Sequence, residues 1–183
     1  WRTKLTEPRG TIGAVRLRAA AGIGWPEPGH SYTGQASPTL CFPPISMATA
    51  GSFEPFTISV PATTANLGPG FDCLGLALDL WNRIKVSPSK SLEITIEGEG
   101  AGLLPTNSRN LVYRSAVRAA RDVGTTLPPL RLEMKNAIPL TRGLGSSAAA
   151  TITGILIVDR LGGDVFDQSK QLSLAVDLEG HAD

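Results

Sequence analysis

Glycine, serine and alanine residues between positions 139 and 150 form the stretch of this chain best suited to chemistry. Gly143 and Gly145 carry no side chain, so a ligand can approach the backbone closely at both positions. Ser146 and the small residues after it predict the start of a helix, whose free N–H groups and positive dipole end favour an anion. The spacing therefore predicts a loop that binds phosphate groups through backbone amides.

Three other kinds of segment have similar glycine spacing. A Walker-type loop needs a lysine directly after its last glycine, and none follows Gly143 or Gly145. A dinucleotide-binding loop needs a strand that ends at its first glycine, whereas residues 135–142 separate the predicted strand 130–134 from Gly143. A helix start made of small residues that serves only close packing stays open as the structural alternative.

A second cluster of polar turn residues lies upstream of this loop. The alternation of residues 56–60 predicts a strand, and Pro61 is expected to end its pairing because proline cannot donate to the ladder. Asn66 and Asp72 flank a turn rich in glycine and proline. They could simply cap that turn, or they could form a polar pocket in which the Asp72 carboxylate binds a substrate ammonium or hydroxyl group.

Hydrophobic periodicity predicts the elements that must position these residues. Strands are expected at 56–60, within 74–86 with a break near Trp81 and Asn82, at 92–97 and at 130–134. Helices are expected at 110–123, 145–161 and 167–180, the last with Asp167 as its N-cap. The sequence therefore predicts an α+β lobe.

The last two predicted helices form a hairpin through the glycine turn 162–163. The first helix rises by about 24 Å and the second descends by about 20 Å, so Glu179 should return to the end where Ser146 lies. A hydroxyl and a carboxylate are ligands that Mg²⁺ accepts alongside phosphate oxygens. Ser146 and Glu179 are therefore the candidate catalytic and metal-binding residues. The alternative is that Glu179 is a solvated carboxylate at a helix end, where the dipole disfavours it.

Three motifs together resemble the GHMP small-molecule kinases. Residues 65–72 (Ala-Asn-Leu-Gly-Pro-Gly-Phe-Asp), 139–149 and 178–183 (Leu-Glu-Gly-His-Ala-Asp) are similar to three successive motifs of that family. The resemblance runs from about residue 56 to residue 183, and it implies the two-layer N-terminal lobe of the family with a left-handed βαβ unit. The form of the first and third motifs is typical of members that phosphorylate L-homoserine.

The resemblance implies a reaction in which the γ-phosphoryl group of ATP passes to the hydroxyl group of L-homoserine with the help of Mg²⁺. Other acceptors of the family, such as mevalonate, shikimate or a sugar, stay open, as does a lobe that binds nucleotide without turnover. Asn110 resembles the family residue near the adenine, and Asn66, Asp72 and His181 are expected to face the amino-acid substrate. The expected nucleotide site comprises Asn110, Pro139, Arg142, Gly143, Leu144, Gly145, Ser146, Ser147 and Ala148, although Arg142 could equally be an ordinary surface side chain.

Composition and charge narrow the classes of partner. A formal net charge of +1 gives no electrostatic reason to expect nucleic acid or an anionic membrane. Two cysteines, Cys41 and Cys73, are too few for a disulfide framework, and Cys73, in an apolar segment, is expected to be a reduced thiol. We therefore expect a cytoplasmic, soluble protein that binds neither nucleic acid nor membrane, and a homodimer of the full-length protein stays open.

The first 46 residues differ from the rest, because they combine several arginines with scattered proline and glycine and show no sustained period. They predict a disordered or non-native leader, with Met47 as a natural start. An arginine-rich, acid-poor leader could instead be a plastid transit peptide. Residues 47–183 are expected to form a truncated ATP-binding lobe, inactive on its own, because the resemblance breaks off at the last residue.

Overall fold

The computed structural model describes residues 2–6, 13–16, 53–68 and 74–181. In chain order its elements are β1 (Arg2–Thr6), β2 (Gly13–Arg16), β3 (Phe56–Thr64), β4 (Leu76–Pro88), β5 (Glu93–Gly98), α1 (Leu111–Asp122), β6 (Leu130–Asn136), α2 (Ser146–Gly162) and α3 (Gln168–Glu179). The strands form one sheet in the order β2-β1-β3-β4-β6-β5. Helix α2 packs on β3 and β4, and α1 and α3 pack against α2. The predicted α+β class is confirmed.

The sheet is antiparallel except at its β5–β6 edge. β5 and β6 run parallel, with Ile94 opposite Leu132, and α1 lies between them in the chain. Parallel neighbours need such a crossover connection, because a tight hairpin can join only antiparallel strands. The connection is therefore a βαβ unit, as the family resemblance implies.

Two strands differ from the prediction near Pro61 and near Trp81. Pro61 does not end β3, which continues to Thr64, because Pro61 pairs with Trp81 next to a shift in register. Such an irregularity lets proline remain in a strand although it has no N–H to donate. The predicted break near Trp81 and Asn82 is also wrong, since β4 runs through both residues.

Two strands also lie in the segment for which the sequence predicts no regular element. β1 and β2 pair antiparallel, and Leu5 and Thr6 of β1 pair with Ile58 and Thr57 of β3. This backbone pairing covers what would otherwise be an open edge of β3, a contribution that side-chain periodicity does not reveal. The remainder of residues 1–46 lies outside the described residues, and the leader stays a prediction.

The hydrophobic core lies between the sheet and the helices. Ile58 and Ile84 from the sheet and Ile155 from α2 are at most 1% exposed. Burying each such side chain contributes about 1.5–3 kcal/mol, so α2 is held firmly along its length. The start of α2 is therefore fixed relative to the ends of β3 and β6. Within the described ranges, no helix has the length and apolar character needed to cross a bilayer.

Candidate functional site

The predicted phosphate loop connects β6 to α2 and packs against the end of β3. Gly143 and Gly145 have φ angles of 66° and 67°, a region that residues with a side chain rarely adopt. The N–H of Thr63 donates a 3.1 Å hydrogen bond to the carbonyl of Leu144. A Cβ at Gly145 would overlap Oγ1 of Thr63. Both the backbone conformation and the available space therefore require glycine at position 145.

Helix α2 begins without a side-chain cap among the described residues, and its N-cap is Gly145. The other two helices are capped, because Asn110 accepts from the N–H of Val112 and Asp167 accepts from that of Lys170. The N–H of Ala149 makes a 2.8 Å bond to the carbonyl of Gly145, and the amides before it have no acceptor within the helix. The start of α2 can therefore donate to an anion.

A cleft of about 460 Å³ opens beside this helix start. Its volume lies within the range of about 300–1,000 Å³ that is usual for small-molecule sites. Most of the predicted nucleotide-site residues line it, namely Asn110, Pro139, Arg142, Gly143, Leu144, Gly145, Ser146 and Ser147, whereas Ala148 does not. Sheet residues, including Asn82 and Asn136, form another part of the wall.

Asn110 lies in the cleft wall, but its side-chain amide is already engaged. Its Oδ1 accepts a 3.0 Å hydrogen bond from the N–H of Val112, and its Nδ2 donates to the carbonyl of Pro105 at 2.8 Å and to Sδ of Met134 at 3.8 Å. The residue is only 2% exposed. Asn110 therefore fixes the start of α1 against β6, and a role near the adenine stays a prediction.

The end of α3 meets the start of α2, as the helix lengths predict. Oε2 of Glu179 accepts a 2.9 Å hydrogen bond from the hydroxyl of Ser147, and Oε1 accepts a short one from the hydroxyl of Thr151. The side chain of Glu179 is 10% exposed. Residues four apart share a helix face, which explains why Ser147 and Thr151 contact Glu179 together. The predicted partner, Ser146, lines the cleft together with Ser147, and the hydrogen bonds given above join Glu179 to Ser147 and Thr151.

The oxygen atoms around Glu179 fit a magnesium ion that is shared with a bound ligand. Mg²⁺ prefers oxygen, and proteins usually hold it through one or two carboxylates together with substrate phosphates and water. In the described part of the chain, no group of three or more His, Cys, Asp or Glu residues could hold a metal. A metal at this site would therefore depend on phosphate oxygens as well as on Glu179 and a serine hydroxyl.

The two glycine-containing motifs meet in space. A Cβ at Gly143 would lie 3.1 Å from Nδ2 of Asn66, so the predicted substrate loop borders the phosphate loop. Nε2 of His181 lies 4.0 Å from Oε2 of Glu179, at the same end of the hairpin. Asp72, the third predicted substrate residue, lies outside the described residues, and its role stays a prediction.

Asn82, Asn136 and Thr151 are not among the site residues that the sequence predicts. Asparagine is disfavoured inside strands, so its occurrence in β4 and β6 was an available signal for a special role. Thr151 could have been found from the four-residue spacing to Ser147.

Comparison with known proteins agrees with this geometry. Residues 110–183 match the family model described as GHMP kinases N terminal domain. The chain is 48% identical over 126 residues to the homoserine kinase of Moorella thermoacetica, covering 69% of this chain and 43% of that protein. It is 44% identical over 132 residues to the homoserine kinase of Synechocystis sp., covering 70% of this chain and 43% of that protein. The chain thus spans less than half the length of these curated relatives.

Solved structures give the same result for the fold. The homoserine kinase from Cytophaga hutchinsonii superposes with a TM-score of 0.58 at 30% identity, over 69% of this chain and 41% of that chain. The Methanococcus jannaschii mevalonate kinase superposes with a TM-score of 0.53 at 18% identity, over 70% of this chain and 46% of that chain, and so shares the fold alone. The predicted N-terminal lobe is therefore confirmed.

Proposed function

Residues 110–183 belong to the N-terminal domain family of the GHMP kinases, and from this premise we propose that the protein transfers the γ-phosphoryl group of ATP to the hydroxyl group of L-homoserine. The product would be O-phospho-L-homoserine, an intermediate of threonine biosynthesis, and the cytoplasm is the expected location. The observation that carries the proposal is the uncapped start of α2, which borders the 460 Å³ cleft with Glu179 beside it. The identity to curated homoserine kinases supports the choice of acceptor.

Phosphoryl transfer requires mainly alignment of the two substrates and neutralisation of charge, and it needs little covalent chemistry from the protein. The backbone amides between Gly143 and Ser147 would bind the nucleotide phosphates, assisted by the positive end of the α2 dipole. Arg142, an exposed residue in the same loop, would add positive charge. These groups are oriented before the substrate binds, because α2 is anchored in the core.

Glu179 and Ser146 would hold Mg²⁺, which neutralises charge on the phosphate oxygens when it is bound. Ser147 and Thr151 hold the Glu179 carboxylate in position through their hydroxyl groups. A carboxylate that accepts two hydrogen bonds loses much of its rotational freedom, so less entropy is lost when a ligand is bound. Thr151 is fully buried, so water does not compete for its hydrogen bond to Glu179.

The acceptor would lie next to the phosphate loop, in contact with Asn66, Asp72 and His181. The proximity of Asn66 to Gly143 supports this placement, because the hydroxyl that receives the phosphoryl group must lie close to the γ-phosphate. The charge of Asp72 suits the ammonium group of an amino acid, which mevalonate, shikimate and sugars lack.

The test is a coupled assay of ADP formation by the full-length protein with Mg-ATP, comparing L-homoserine with mevalonate, shikimate and galactose. We expect turnover with L-homoserine only, and mass spectrometry should identify the product as its phosphate ester. Turnover with another acceptor but not with L-homoserine would contradict the proposed acceptor, and the protein would still be an ATP-dependent kinase. Nucleotide binding without any turnover would contradict the proposed enzyme and favour a binding lobe.

A further inference from the structure

The two carboxylate oxygens of Glu179 lie in different surroundings. Oε2 accepts a 2.9 Å hydrogen bond from the hydroxyl of Ser147, which lines the cleft. Oε1 accepts a short hydrogen bond from the hydroxyl of Thr151, which is fully buried in α2 and does not line the cleft. The side chain of Glu179 is only 10% exposed. One oxygen of the carboxylate therefore lies on the side of the ligand site, and the other faces the interior of the protein.

The hydroxyl of Thr151 has a single proton, and that proton is donated to Glu179. A buried threonine in a helix can instead donate to the carbonyl four residues before it, which is what Thr153 does. Oγ1 of Thr153 donates a 2.7 Å hydrogen bond to the carbonyl of Ala149, and both threonines are 0% exposed. Oε1 of Glu179 is therefore occupied by a donor for which water does not compete.

Divalent metal ions differ in how they use a carboxylate. Mg²⁺ is small, requires near-ideal octahedral geometry and keeps several water molecules, so one oxygen of a carboxylate suffices. Ca²⁺ is larger, takes about six to eight oxygen atoms and accepts both oxygens of one carboxylate. Binding through both oxygens would require Glu179 to turn Oε1 away from Thr151. The buried hydroxyl would then lose its acceptor, which costs free energy because water cannot replace it.

Resting on the proposed function, we propose that Thr151 makes the metal site selective for Mg²⁺ over Ca²⁺. Its hydroxyl holds Oε1, so Glu179 offers a bound ion one oxygen rather than two. Thr151 acts through Glu179 and does not touch the metal, so it is a positioning residue. The described part of the chain has no group of three or more His, Cys, Asp or Glu residues that could hold a metal. One carboxylate oxygen more or fewer is therefore a large share of what these residues contribute to the ion.

The experiment is calorimetric titration of the full-length protein with a non-hydrolysable ATP analogue, in saturating Mg²⁺ or in saturating Ca²⁺. The analogue prevents turnover, so the measurement reports binding and does not depend on activity. The unmodified protein should bind the Mg²⁺ complex of the analogue about tenfold more tightly than the Ca²⁺ complex. Equal affinity for the two complexes would overturn the proposal.

Thr151→Val removes the hydroxyl and retains the shape of the side chain. It should strengthen binding of the Ca²⁺ complex and reduce the preference for Mg²⁺ to about threefold or less, because Oε1 is then free to bind the ion. Thr151→Ser retains the hydroxyl and should keep the full preference. Thr153→Val is the matched control and should also keep it, because the hydrogen bond that it removes is equally buried but stays within α2. An unchanged preference in Thr151→Val would contradict the role of its hydroxyl.

Ser147→Ala separates orientation of the carboxylate from selection of the metal. It releases Oε2 and leaves Thr151 on Oε1, so it should weaken binding of both metal complexes and keep the preference for Mg²⁺. Ser147 is exposed, so this variant does not depend on refilling the core. Loss of the preference in Ser147→Ala would mean that any loosening of Glu179 admits Ca²⁺, and it would overturn the assignment to Thr151.

Infrared difference spectra test the binding mode in the unmodified protein. A carboxylate bound through one oxygen shows a wider separation between its antisymmetric and symmetric stretching bands than a carboxylate bound through both. The bands that disappear in Glu179→Gln identify this carboxylate. In the Mg²⁺ complex of the analogue they should show the wide separation, and a narrow separation would overturn the proposal.

The outcomes separate this proposal from the proposed function. If L-homoserine is phosphorylated but Thr151→Val keeps the full preference for Mg²⁺, metal selection by Thr151 is wrong and the proposed kinase stands. If the preference changes as expected but no acceptor is phosphorylated, the proposed reaction fails and metal selection by Thr151 stands.

Discussion

The carboxylate of Glu179 accepts a 2.9 Å hydrogen bond from the hydroxyl of Ser147, although the two residues are 32 positions apart in the sequence. The helix dipole disfavours a negative charge at the C-terminal end of α3, whereas the nearby N-terminal end of α2 favours it. Contact with the start of α2 therefore offsets the unfavourable position in α3. The same contact places a carboxylate beside the amides that would bind phosphate.

Glu179→Gln should lower the kcat of the full-length protein at least about 100-fold, because the amide retains the size of the side chain and loses its charge. ATP binding should change much less, since the backbone amides of the loop remain. The coupled ADP assay and calorimetry measure the two effects separately. Asp177→Asn, an exposed substitution on the same helix, is the control. Turnover within threefold of the unmodified enzyme would contradict a role for the Glu179 charge.

The two serines at the start of α2 should behave differently. Ser146→Ala should lower turnover far more than it weakens ATP binding, if Ser146 holds the metal. Ser147→Ala should release one oxygen of Glu179 and raise the Mg²⁺ concentration needed for half-maximal rate, because Thr151 then restrains the carboxylate alone. Magnesium titrations of both variants decide which serine holds the metal and which one positions Glu179. Unchanged turnover in Ser146→Ala would transfer the metal-binding role to Ser147.

Gly145→Ala tests the fit between the phosphate loop and β3. The added Cβ would meet Thr63, and the φ of 67° adds backbone strain, so we expect a loss of about 2–4 kcal/mol in unfolding free energy. Gly163→Ala has a similar φ of 78° but no atom within 4 Å of the new Cβ, and it should lose only about 1 kcal/mol. Urea unfolding of both variants separates strain from steric overlap. Equal losses would mean that the contact with Thr63 is unimportant.

Much of the fold could be predicted because its patterns are local. The α1 face repeats with the helical period, and Asp167 is an N-cap that the sequence indicates. The extent of β3 could not be predicted, because the pairing of Pro61 depends on a register shift against β4. Proline locally favours the end of a strand, but the pairing with β4 extends β3 beyond it.

The candidate site also has one part that the sequence indicates and one part that it does not. The glycine loop is continuous in the sequence, and its spacing alone indicated an anion site. The wall formed by Asn82 and Asn136 brings together residues from distant strands, and its meaning depends on which amide atoms the backbone already occupies. The sequence contains no sign of that occupancy, so only the structure reveals that Oδ1 of Asn136 is buried without a described partner.

Asp159 provides a prediction about stability and pH. Burial raises the pKa of its carboxyl group above 3.8, aided by the negative charge of Asp164, although a hydrogen bond from the N–H of Phe166 opposes the shift. A raised pKa means that the folded state binds the proton more tightly than the unfolded state. The stability contributed by the protonated group is thus present below the unfolded pKa and is lost as the pH rises through the folded one.

Asp159→Asn removes this titration and retains an oxygen that can accept from Phe166. We therefore expect the unfolding free energy of the variant, relative to that of the unmodified protein, to increase between pH 3.5 and 6.5, because only the unmodified protein must ionise a partly buried carboxyl group over that range. Urea unfolding at both pH values measures the difference, and Asp177→Asn controls for adding an amide to an exposed position. A difference that stays constant or decreases would mean that the hydrogen bonds to Asp159 outweigh its burial.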